Sequence, residues 1–153
     1  MNQIAELLPA ANILLDLDAS SKSRLFEAVG DLFERNQALA RNLVVDSLLA
    51  REKLGSTGLG QSVAIPHGRI KGLATAQGAF VRLASPIPFD APDGKPVAQV
   101  FVLLVPEHAT EQHLQILSEL AQMFSERTFR EQLAAARDAA SLHALFAAWE
   151  PTS

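Results

Sequence analysis

At 153 residues the chain is the size of one domain and too short for two ordinary ones. Apolar residues make up 48% and charged residues 20%, a globular balance that excludes intrinsic disorder, and a chain this long buries enough surface to need no disulfide or metal staple. Cysteine is absent and the formal charge is -4, spread along the chain, which excludes thiolate metal sites and leaves no basic block for nucleic acid.

The opening MNQIAELLPA lacks a positive segment ahead of an apolar core and is a poor signal peptide. After this short turn, NILLDLD reads as a strand that ends at a helix-start signal, Asp18 to Ser20. Residues Ser21 to Arg35 then carry Leu25, Val29, Leu32 and Phe33 at helical spacing. A second helix is expected from Arg41 to Leu54, with Gly55 suited to end it.

A glycine-rich stretch follows, and VAI reads as a short strand just before Pro66 and His67. QGAFVRL is a clear strand. VAQVFVLLV is apolar almost throughout, as a central strand covered on both faces would be. This longest apolar run still falls well short of the roughly 20 residues of a membrane span. Between the two strands, SPIPFDAPDGKP reads as a proline-rich loop with a turn at Asp93-Gly94. From Thr110 to Trp149 the pattern is helical, with breaks near Thr128 and Asp138. Interleaved helices and strands predict an α/β fold: one layered domain over residues 1–153, with a central mixed β-sheet flanked by helices on both faces. The expected location is cytoplasmic, with no direct membrane insertion.

The chemistry concentrates around GSTGLGQSVAIPHGRI. Pro66 fixes its own φ and biases Ile65 towards an extended backbone, while Gly68 leaves room on the other side of His67. An imidazole is thereby presented at a strand end on a stiff mount. Two readings stand: a reactive histidine, or a turn histidine bonded to a carbonyl. His113 shares the apolar stripe of Leu117, Leu120 and Phe124 near a helix N-terminus with Thr110 as cap. It is either a core histidine or an inward-facing site residue. Arg51 lies in line with Val44 and Leu48, as a site cation or as a cation complementing a helix dipole. His108 and His143 read as surface or packing residues.

Several standard sites are missing. GSTGLGQS has no Gly-Lys-Ser/Thr and does not match a dinucleotide fingerprint. No His-Glu-x-x-His zinc motif and no Gly-x-Ser-x-Gly elbow occurs.

REKLGSTGLGQSVAIPHGRI resembles the phosphoacceptor segment of the IIA proteins of the bacterial phosphotransferase system, in the fructose and mannitol superfamily. FVLLVPEHATEQHLQILSELA is similar to that family's second histidine segment. IAELLPAANILLDLDASSKSRLFEAVGDLF and SPIPFDAPDGKPVAQVFVLLVP resemble the nitrogen-regulatory branch. The resemblance implies a phosphocarrier. His67 would be phosphorylated by a phosphohistidine on a small carrier protein, His113 would be the second active-site histidine, and Arg51 the active-site arginine. Gly68, Ser56 and Thr57 would support the phosphate site. No metal, nucleotide or other cofactor is implied. Downstream partners would be regulatory targets such as sensor kinases or potassium transport systems. Leu59, Val63 and Ile70, which flank His67, read either as their docking surface or as core.

Where the family commonly has Gly-Ile ahead of Ala-Ile-Pro-His, this chain has Ser62-Val63, so the loop is strained if position 62 needs positive φ. Two alternatives stand beside the regulatory one. The first is a sugar-branch IIA protein passing phosphate to a IIB component. The second is a non-catalytic α/β binding module in which His67 is structural.

Overall fold

The computed structural model describes residues 2–108 and 111–151. Two long strands, β5 (Gln77–Ile87) and β6 (Val97–Pro106), pair antiparallel at the centre of a six-stranded sheet. Along β6, Val100, Val102 and Leu104 enter one core, while Phe101, Leu103 and Val105 enter the other. The alternation follows from the two-residue period of a strand, and it explains why a two-faced central strand reads as continuously apolar.

Earlier in the chain, β1 (Ile13–Leu17) lies parallel to β5 at one edge. On the far side of β6 stand β3 (Val63–Ala64) and β4 (His67–Ile70), both parallel to it. β2 (Gly58–Gly60) pairs antiparallel with β3 at the other edge. The helices α2 (Lys22–Gln37) and α3 (Arg41–Glu52) seal one face through Leu25, Phe26, Phe33, Val44 and Leu48. The opposite face is covered by α1 (Gln3–Leu7), α4 (Glu111–Ser125), α5 (Arg127–Ala135) and α6 (Ala139–Ala148), with Phe124 and Phe146 packed on Phe80. The expected mixed sheet with helices on both faces is what the chain forms.

Three boundaries move, each for a physical reason. Ser21 caps α2, its hydroxyl accepting the Arg24 amide, so the helix begins just beyond the Asp18–Ser20 signal. β5 runs on through Pro86 into the segment expected to be loop. Its pairing with β6 shifts register between Arg82 and Ile87, an irregularity that accommodates a proline. The break after α4 falls at Glu126 rather than near Thr128, whereas Asp138 caps α6 through the Ser141 amide at 2.7 Å. The expected cap Thr110 lies outside the described residues.

Beyond Pro66, where the strand VAI is expected to end, the chain forms a further strand, β4. β3 and β4 keep one register on β6, from Val63 opposite Gln99 to Ile70 opposite Pro106. They are two halves of one strand line, interrupted where Pro66 has no amide to donate. Its carbonyl still accepts the Leu103 amide at 2.9 Å. His67 is therefore the first residue after the interruption.

The β2–β3 hairpin turns at Gln61 and Ser62, with φ of 58° and 65°. Positive φ at both central residues is the demand of the tight hairpin turn that favours Asn-Gly. Ser62 thus carries left-handed strain of about 1–2 kcal/mol, offset in a glycine variant by about 0.4–1 kcal/mol of unfolded-chain entropy. Ser62→Gly should raise the melting temperature by about 1–3 °C, measured by thermal unfolding; a lowered value would contradict the strain.

Candidate functional site

The break at Pro66 puts the Ile65 carbonyl within reach of the next side chain. Nδ1 of His67 donates to that oxygen at 3.0 Å. The other ring nitrogen, Nε2, receives the Arg51 Nε–H at 3.2 Å. The two bonds demand the same tautomer, with the proton on Nδ1 and the lone pair on Nε2. Burial pushes the His67 pKa below the ordinary imidazole value, against the Ile65 bond, which favours protonation, and with the Arg51 charge, which opposes it. A neutral imidazole can act as a nucleophile at physiological pH through its lone-pair nitrogen.

Arg51 comes from the last turn of α3, where its Nη1 donates to the Gly55 carbonyl at 2.8 Å. The residue therefore satisfies a carbonyl beyond the helix end and also contacts the histidine. Its Nη2 has no partner among the described residues.

His113, in the first turn of α4, is 8% exposed and sets its ring 5.4 Å from that of His67, edge to face. Neither of its ring nitrogens has a hydrogen-bond partner among the described residues. Buried polar atoms are rarely left so, and two unpartnered imidazole nitrogens beside the His67 ring could bond a polar group that enters there. Its pKa is lowered by burial, then by His67 and Arg69. His113 is neutral and keeps one N–H to donate.

Gly68 acts differently from the expectation of free space beside the ring. A Cβ there would stand 2.1 Å from Oγ of Ser47, on α3. That hydroxyl donates to the Arg69 carbonyl at 3.0 Å. The missing side chain lets α3 lie against β4, and this close approach brings Arg51 to His67. Gly68→Ala should destabilise the fold by about 1–3 kcal/mol through overpacking and slow any His67 chemistry as α3 is pushed back. A double variant with Ser47→Gly, which removes the opposing atoms, should recover most of both in thermal unfolding and rate measurements.

Ser56 and Thr57 build the loop under the site. The Ser56 hydroxyl donates to the Phe89 carbonyl at 2.5 Å and accepts the Gly58 amide at 3.0 Å. The Thr57 hydroxyl donates to the Glu52 carboxylate, which also takes the Thr57 amide at 3.2 Å. Both residues line a cavity of about 220 Å³ that Arg51 and His67 also border.

A larger cleft of about 630 Å³ opens on the other side, where Arg51, His67, Gly68 and His113 meet Leu43 and Leu54. Of the expected docking residues, Leu59 is exposed, but Val63 and Ile70 are fully buried in the two cores and cannot meet a partner. They sit on inward positions of β3 and β4, whose pairing the sequence did not disclose. Leu54, 84% exposed just past the end of α3, takes their place at the rim with Leu43. His108 lies on the surface, and Nε2 of His143 bonds the Ala5 carbonyl at 3.2 Å, joining α6 to α1. Among the described residues no three metal-ligating side chains stand together.

Residues 6–149 match the family model of the phosphoenolpyruvate-dependent sugar phosphotransferase system, EIIA 2, and the chain belongs to that family. Within it, the likeness is to the nitrogen-regulatory branch. A nitrogen regulatory protein of Pseudomonas aeruginosa is 39% identical over 144 residues, covering 94% of each chain. The crystal structure of the nitrogen regulatory protein IIA-Ntr from Neisseria meningitidis superposes with a TM-score of 0.89 at 53% identity, over 94% of this chain and 99% of that one. The mannitol IIA protein of Escherichia coli shares the fold, with a TM-score of 0.75 at 23% identity over 90% of this chain and 96% of that one. No helix among the described residues is long and apolar enough to cross a membrane.

Proposed function

We propose that this chain is a cytoplasmic, single-domain regulatory phosphocarrier whose acceptor atom is Nε2 of His67. The observation that carries the proposal is the pair of bonds on the His67 ring. Ile65 holds the proton on Nδ1, and Arg51 marks the lone pair on Nε2.

The donor is a phosphohistidine on a small carrier protein. Nε2 of His67 attacks the phosphorus in line with the donor's P–N bond. A new N–P bond forms as the old one breaks, and the donor imidazole leaves with the electron pair. The proton stays on Nδ1 of His67 throughout, hydrogen-bonded to the Ile65 carbonyl. Such a transfer asks the protein mainly for positioning and for charge stabilisation of the three equatorial oxygens. Arg51 turns its N–H groups from the lone pair to these oxygens, and neutral His113 adds a donor from a buried position. No metal, nucleotide or other cofactor enters the step.

The output is binding. Phosphorylation places about -1.5 to -2 charges on His67 at neutral pH. An apolar rim such as that of Leu43 and Leu54 then meets partners either across a neutral imidazole or across a dianion. The partners are regulatory targets such as sensor kinases or potassium transport systems.

The test is incubation of the purified protein with phosphoenolpyruvate and matched upstream components of the nitrogen and sugar branches. Faster labelling by the nitrogen-branch carrier, with an acid-labile and base-stable phosphate, is the expected result. Faster labelling by the sugar-branch carrier with onward transfer to a IIB component would assign the chain to sugar uptake. A folded protein that neither carrier labels would be a binding module.

A further inference from the structure

Two charges near the site stand at the wrong ends of their helices. Lys22 is the first residue of α2, where the dipole disfavours a cation, and Glu52 is the last residue of α3, where it disfavours an anion. They meet each other across the gap: Lys22 Nζ lies 2.8 Å from Glu52 Oε2. The carboxylate is almost fully buried, with a side-chain exposure of 5%. Its other oxygen takes the Thr57 amide and hydroxyl. Lys22 also lies over the Phe89 ring, 4.4 Å from its centroid.

The carboxylate is next in sequence to Arg51, and both charges act on His67. Both charges lie close to His67, yet Arg51 forms no ion pair among the described residues. Its bonds go to a neutral imidazole and a neutral carbonyl. Full positive charge on Arg51 is what a phosphoryl group would use.

Building on the phosphocarrier reading, we infer that Lys22 is a positioning residue for phosphoryl transfer: by holding the Glu52 carboxylate in the Thr57 loop, it keeps that carboxylate from pairing with Arg51 and leaves the guanidinium available to phosphoryl oxygens. Lys22 touches neither His67 nor the phosphate and acts only through Glu52.

The inference separates from a merely stabilising ion pair by rescue. In Lys22→Met the carboxylate loses its cation and turns to Arg51, so transfer from the upstream carrier should slow roughly tenfold, within the range of couplings between contacting charges. In Lys22→Met/Glu52→Gln the amide oxygen still accepts from Thr57 but carries no charge to neutralise Arg51. The double variant should return to within about threefold of wild type. Folding is checked by circular dichroism and thermal unfolding. Should Lys22→Met not fold, Lys22→Ala, which also removes the cation and leaves no donor for the carboxylate, replaces it with the same expected rescue. A folded single variant with the wild-type rate, or a double variant as slow as the single, overturns the inference. An unlabelled wild type overturns the phosphocarrier reading itself.

Discussion

Replacing His67 by alanine is expected to reduce phosphate acceptance to background while the protein stays folded. On the proposed mechanism the imidazole provides the atom that forms the new bond, and removing a nucleophile outright costs at least about 10⁴-fold. The structural cost is small. The side chain is half-buried and makes one bond to the Ile65 carbonyl and one to Arg51, each with a net worth of about 0.5–1.5 kcal/mol. Labelling by the upstream carrier and thermal unfolding on the same samples separate the two effects. Retained labelling would move the acceptor elsewhere.

Arg51→Ala should slow transfer by about 10²–10³-fold, the usual loss when a preorganised donor to developing charge is removed. Its contribution to stability is limited to the Gly55 and His67 bonds, so the melting temperature should fall by only a few degrees. Arg51→Lys restores the charge but not the planar fork that bonds Gly55 and His67 together, and an intermediate rate is expected. A loss confined to melting temperature would return Arg51 to the role of a helix-end cation.

The parts of the fold legible in the sequence are those whose periodicity is local. The stripe Leu25, Val29, Leu32 and Phe33 defined α2, and the unbroken apolar run of β6 announced a strand covered on both faces. The edge of the sheet that carries the site was hidden. β2, β3 and β4 are only two to four residues long, β2 pairs with β3, and β6 supplies the register of β3 and β4 from more than thirty residues away. Hence the sequence left Val63 and Ile70 open between docking surface and core, and they are core.

The site divides the same way. His67 was legible because Pro66 and Gly68 shape the backbone around it. His113 and Arg51 were legible as inward positions on helices, and the family resemblance joined the three. What Gly68 makes room for was not legible, because Ser47 lies twenty-one residues earlier and carries no local signal. Neither Lys22 nor Glu52 stands out in the sequence. Only the packing of α2 beside α3 shows that each opposes its own dipole and answers the other.

The most direct test of the central claim is long-range ¹H–¹⁵N correlation NMR of the protein after phosphorylation by its upstream carrier. The account predicts that phosphorus couples to Nε2 of His67, that Nδ1 of the same ring keeps its proton, and that the His113 ring remains unmodified. Phosphate on Nδ1 of His67, or on any other histidine, would contradict it.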